Sequence, residues 1–168
     1  MTKISQNQLA EWYEDYEAEL MLYARQWHPE PQAEDIVQDA FIQLMKQRKS
    51  PDNVRAWLFC VVRNEAISKV RKNKQRLKAD QEIFGNEVIW FESRSEDLID
   101  ARLAQNVLQT LPSELREIVM LRIWGQMLLK EIADITGKSI PWIHKEYKRA
   151  LELIKKELEH SSCTKKKT

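Results

Sequence analysis

The chain has 168 residues, a net charge of +1, 32% charged residues and only three glycines. That length holds one domain or two small ones, and the scarcity of glycine and of alternating β-branched runs points to an all-α chain. No apolar run approaches a membrane span, Met1 opens no signal peptide, and two cysteines are too few for a disulfide framework. Cys60 and Cys163 are therefore expected as free thiols in a reducing cytoplasm.

The first helix is expected from about Gln8 to Gln26, with Leu9, Trp12, Tyr13, Tyr16, Leu20 and Tyr23 on one stripe and His28-Pro29-Glu30-Pro31 as its stop. A second begins near Gln32, where Ile36, Val37, Ala40, Phe41, Leu44 and Met45 form the apolar side. Its opposite face carries Glu34, Asp35, Gln38 and Asp39, either a surface for a partner helix or a solvated flank. Ser50-Pro51-Asp52-Asn53 caps a third, long helix reaching about Arg76, with Val54, Trp57, Leu58, Val61, Val62, Ala66 and Val70 inward. Three helices with short connections can share one small core.

That third helix also carries Arg63, Asn64, Lys69, Arg71, Lys72, Lys74 and Arg76. The cations can track phosphates, and Asn64 can hydrogen-bond an unstacked base edge. Phe59 is placed in the same nucleic-acid set as a stacking platform, a role Trp57 could share, although an aromatic at helical spacing is more often core.

From Leu77 to Ser95 the helical period is lost and a flexible linker is expected. Asp97 to Thr110 and the stretch after Leu111-Pro112 regain it. Between Gly125 and Leu153 the spacing is that of a helix-turn-helix: Ala133 lets two helices touch, Gly137 suits a left-handed turn, and Ile143 plugs the second helix onto the first. Pro141 is expected at the first position of that helix. Lys138, Ser139, Trp142, Lys145, Glu146, Lys148 and Arg149 are then expected outward, as a major-groove reader requires, whereas an ordinary helical hairpin would leave the same face solvated. Residues 161–168, with Lys165-Lys166-Lys167, are expected as a disordered basic tail.

The charge is segregated. Residues 1–40 carry two basic and nine acidic side chains, residues 41–80 eleven and three, residues 81–110 two and six, and residues 111–168 twelve and eight. Two basic blocks separated by acidic chain suit two contacts with a polyanion. No phosphate-binding glycine loop is present, and His28, His144 and His160 share no metal-ligand spacing with cysteine. Glu34, Asp35 and Asp39 lack the companions a magnesium nuclease needs, so no enzyme, cofactor or metal site is expected.

Ala33-Glu34-Asp35-Ile36-Val37-Gln38-Asp39-Ala40-Phe41, Val54-Arg55-Ala56-Trp57-Leu58-Phe59 and Val62-Arg63-Asn64-Glu65-Ala66-Ile67 resemble region 2 of extracytoplasmic-function (ECF) sigma factors. Leu111-Pro112, Glu114-Leu115-Arg116-Glu117, Glu131-Ile132-Ala133 and Lys148-Arg149-Ala150-Leu151 resemble region 4 of the same group. The resemblance implies a region 2 domain over 1–80, an acidic linker over 81–96 and a region 4 domain over 97–160. It further implies docking of Glu34, Asp35, Gln38 and Asp39 on bacterial core RNA polymerase, and −10 element recognition and melting by the third helix, with Asn64 near the pocket for a flipped base. The second helix of the helix-turn-helix would read the −35 element. Promoter DNA, and an anti-sigma factor that restrains the protein, are the further partners implied; the free chain would be a monomer without membrane insertion.

This chain departs from the family pattern at Ser68, where Asp is frequent, at Met127, near a frequent Ser, and at Pro141-Trp142, where Gly-Thr is frequent. Glu146 stands where a basic residue is common. A one-component regulator, with a helical sensing or dimerising domain joined to the same helix-turn-helix, is the rival reading; it predicts a symmetric dimer on a palindromic site.

Overall fold

Ser5 starts the first helix by a reciprocal cap: Gln8 N–H donates to Ser5 Oγ at 3.2 Å, and Ser5 N–H donates to Gln8 Oε1 at 3.1 Å. The computed structural model describes residues 3–77 and 98–164, and every regular element among them is an α-helix. The chain divides into two compact units, Met1–Trp90 and Phe91–Thr168. The expected linker over 81–96 lies outside the described residues.

In the first unit α1 spans Gln6–Ala24, α2 Gln32–Met45 and α3 Val54–Leu77. Each helix meets the other two. Asn53 opens α3, its Oδ1 accepting from Ala56 N–H at 3.0 Å. Leu20, Ile36, Leu44, Leu58 and Val62 are fully buried, each such side chain contributing about 1.5–3 kcal/mol. His28, buried after α1, donates from Nε2 to the Ala66 carbonyl at 2.9 Å and so ties the α1–α2 connection to α3.

Two expectations change here. Met45, expected on the apolar stripe of α2, is 55% exposed, because the buried set closes at Leu44 and the next turn leaves the three-helix contact. Phe59, expected to meet nucleic acid, is 1% exposed and packs on Tyr23 with ring centroids 5.1 Å apart. The buried side of α3 is rotated toward Leu58, Phe59, Val62 and Ala66, while Trp57 and Val61 are half-buried.

The second unit holds α4 (Leu98–Thr110), α5 (Ser113–Ile123), α6 (Leu129–Thr136) and α7 (Ile140–Thr164). Arg116 joins α5 to the end of α4, donating to the carbonyls of Leu108 at 2.8 Å, Gln109 at 3.3 Å and Leu111 at 3.0 Å. The last carbonyls of a helix lack intrahelical donors, and Arg116 supplies donors at the end of α4 alongside Leu111 N–H, which donates to Leu108 O at 3.3 Å. Burial lowers the Arg116 guanidinium from its ordinary value. Glu131 reaches back to accept from Leu128 N–H at 2.7 Å and starts α6.

Gly137 ends α6 at φ +71°, its N–H donating to Ala133 O at 2.9 Å. Ala133 and Ile143 are buried as the helix-turn-helix spacing requires. Ser139 N-caps α7, and Trp142 N–H donates to its Oγ at 3.3 Å. Helix α7 therefore begins at Ile140, one residue ahead of the position expected from Pro141, which still lies in the first turn where an N–H has no intrahelical acceptor. The helix also runs on through Thr164, past the point where loss of order was expected at residue 161. Ser161 Oγ and Ser162 Oγ donate to the carbonyls of Glu157 and Leu158, so these hydroxyls bond back into the last turns. Lys165-Lys166-Lys167 lies outside the described residues.

Candidate nucleic-acid and protein-docking interfaces

The amphipathic period of α2 turns Glu34, Asp35, Gln38 and Asp39 away from the core, and all four are exposed. Gln38 Nε2 donates to Glu34 Oε1 at 3.1 Å along this face. Nearby, burial first and then the Glu17 and Glu34 carboxylates push the Tyr13 phenol up. The same face continues through Ile42 and Met45, 46% and 55% exposed. Asp35, Gln38, Ile42 and Met45 follow one another by three, four and three residues, so they form a single ridge. Sequence reading missed its apolar half; the outward period counted from Asp35 would have found it. An acidic head followed by exposed apolar side chains can dock a helical protein surface, with charge steering it and apolar burial holding it.

On α3, Asn64, Arg71, Lys72, Lys74 and Arg76 are exposed, while Arg63 and Lys69 are half-buried. Asn64 Nδ2 donates to Cys60 Sγ at 3.7 Å, a weak contact that a base edge can displace. The basic residues lie at closely spaced positions around the last turns, an arrangement that suits phosphate contacts without fixing a single face.

On the helix-turn-helix, Lys138, Ser139, Lys145, Lys148 and Arg149 are exposed and Trp142 is half-buried. Lys138 Nζ lies 5.0 Å from the Trp142 ring centroid and 3.7 Å from Glu114 Oε1, bridging α5 to the leading turn of α7. Glu146 corrects an expectation. It is 8% exposed, on the buried side with Ile143 and Ala150, and its Oε2 lies 3.2 Å from Arg149 Nη1. The helix is rotated so that positions three and seven residues beyond Ile143 turn inward. Among the described residues no group of three His, Cys, Asp or Glu side chains could hold a metal ion.

Residues 12–76 match the Sigma-70 region 2 family and residues 101–154 the Sigma-70 region 4 family, which together span well over half of the chain. The chain is 28% identical over 128 residues to the RNA polymerase sigma factor SigV of Bacillus subtilis, covering 74% of each protein. It is 28% identical over 141 residues to the ECF RNA polymerase sigma factor SigW of the same organism, covering 76% of this chain and 75% of SigW. The fold resembles the sigma factor RpoE of Bartonella quintana, solved with the anti-sigma factor NepR, at a TM-score of 0.77 and 22% identity, over 92% of this chain and 98% of that one. It also resembles CnrH, solved with the cytosolic domain of CnrY, at a TM-score of 0.63 and 20% identity, over 93% and 90% of the two chains.

Proposed function

Because this chain belongs to the sigma-70 family as an ECF sigma factor, which binds core RNA polymerase and directs promoter recognition and transcription initiation, we propose a division of those tasks between its two units. The first unit docks on polymerase through Glu34, Asp35, Gln38 and Asp39, with Ile42 and Met45 completing the ridge. It engages and melts the −10 element through Arg63, Asn64, Lys69, Arg71, Lys72, Lys74 and Arg76. The second unit reads the −35 element through Lys138, Ser139, Trp142, Lys145, Lys148 and Arg149. Sigma factors are non-enzymatic initiation factors, and polymerase supplies the chemistry.

The observation that carries this division is the pairing, within one small unit, of an exposed acidic and apolar ridge on α2 with an exposed Asn64 and basic run on α3. A duplex-binding regulator has no need of a base-edge reader beside a protein-docking ridge. The one-component reading is accordingly not favoured.

The proposal extends to a free monomer acting in the cytoplasm; among the described residues no helix is long and apolar enough to cross a membrane. It also extends to restraint by an anti-sigma factor, supported by the two similar folds, one solved with a named anti-sigma factor and the other with CnrY.

Purified protein mixed with bacterial core polymerase should initiate at a restricted promoter set, and alone should bind duplex DNA weakly. Tight, specific duplex binding by an isolated dimer sinks the proposal.

A further inference from the structure

The leading turn of α7 is apolar and open. Ile140 is 47% exposed, Pro141 is exposed, and Trp142 is half-buried with its ring beneath the Lys138 ammonium. An exposed apolar cluster flanked by basic side chains is suited to contact with an apolar group on a polyanion. In a helix-turn-helix the amino-terminal residues of the second helix are the ones that meet base edges. Ile140 and Pro141 offer no side-chain donor or acceptor, and the Trp142 indole offers a single N–H. None can make the two-donor contact that selects guanine. What the apolar surface of such a turn can read in the major groove is the C5 methyl of thymine.

We propose that Ile140 and Trp142 select thymine in the −35 element by burying its methyl group, with Lys138 as the positioning residue that holds the indole. This rests on α7 entering the −35 duplex. Lys138 is suited to that role because Glu114, on α5, tethers its ammonium 3.7 Å away while the same ammonium covers the ring. The indole is thus fixed from a second helix, which limits its freedom before DNA arrives.

The test uses holoenzyme and its selected −35 element, with each thymine replaced singly by uracil so that only a methyl is lost. Binding should fall about fourfold at one or two positions, the worth of one buried carbon. Trp142→Ala or Ile140→Ser should abolish that penalty while preferences elsewhere persist. Since Ile140 is exposed, its replacement tests the idea even if the Trp142 variant folds poorly. Lys138→Gln should weaken the same penalty and Lys138→Arg restore it. Holoenzyme that selects a −35 sequence yet is indifferent to every uracil overturns this inference alone, as does a penalty that survives both the Ile140 and Trp142 changes. Failure to select any −35 sequence overturns it together with the proposed reading role of α7.

Discussion

Arg149 donates from Nη1 to Glu146 Oε2 at 3.2 Å, so a buried carboxylate on the inner side of α7 is paired with an exposed guanidinium on its outer side. The Arg149 side chain remains 61% exposed while that of Glu146 is 11% exposed. Arg149 thus faces solvent, with its charge partly neutralised by a neighbour that duplex phosphates would repel.

Glu146→Ala should leave the ranking of −35 base variants unchanged and raise affinity for all of them similarly. The slope of log affinity against log salt should steepen by up to about 0.9, as Arg149 gains freedom to neutralise one more phosphate. Holoenzyme binding across single-base variants and salt concentrations checks both. Loss of preference at one base pair would show that Glu146 reads a base after all.

Asp35→Lys combined with Asp39→Lys should weaken holoenzyme assembly by tenfold or more, roughly 1.4 kcal/mol or above, mainly by slowing association. Ile42→Ser should weaken it chiefly by speeding dissociation, since it removes apolar burial rather than steering. Helicity should be unchanged because these side chains lie off the core. Equal polymerase association and dissociation rates for all variants, with normal circular dichroism, would return the ridge to an ordinary solvated face.

Asn64→Ala should reduce open-complex formation more than initial promoter binding, because a base edge is available to Asn64 only after unstacking. Lys72→Ala with Lys74→Ala should lower affinity for all promoters and flatten the salt dependence by about 1–2 in slope. Permanganate footprinting alongside equilibrium binding separates the two steps. An equal loss at both steps for Asn64→Ala would assign it a structural role.

The two described glycines should respond to Ala for different reasons. At Gly137 an added Cβ meets nothing within 4 Å, so the cost comes from φ +71° alone, about 1–2 kcal/mol, and Asn should be tolerated better. At Gly125 the added Cβ falls 2.6 Å from the Leu121 carbonyl oxygen, a backbone atom that can yield only if α5 shifts. Gly125→Ala should therefore cost more than Gly137→Ala in denaturant unfolding, and the reverse order would contradict this packing.

Local signals were legible in the chain. A cap within Ser50-Pro51-Asp52-Asn53, Gly137 in a left-handed turn, the Ala133 and Ile143 spacing, and the outward Glu34–Asp39 face each depend on a few neighbouring residues, and each appears where the residue chemistry requires it. Phe59, Met45 and Glu146 were misplaced for one shared reason. A helix turns by about 100° per residue, so an apolar stripe with a flanking candidate on each side can rotate by one position and remain plausible. The choice belongs to the partner helices: Tyr23 claims Phe59, the three-helix core closes at Leu44 before reaching Met45, and the side of α7 held by Ile143 takes Glu146 inward. Periodicity therefore determines that a helix has a buried side. Packing against other helices decides which residue at its edge is covered, because that residue's exposure depends on atoms distant in sequence.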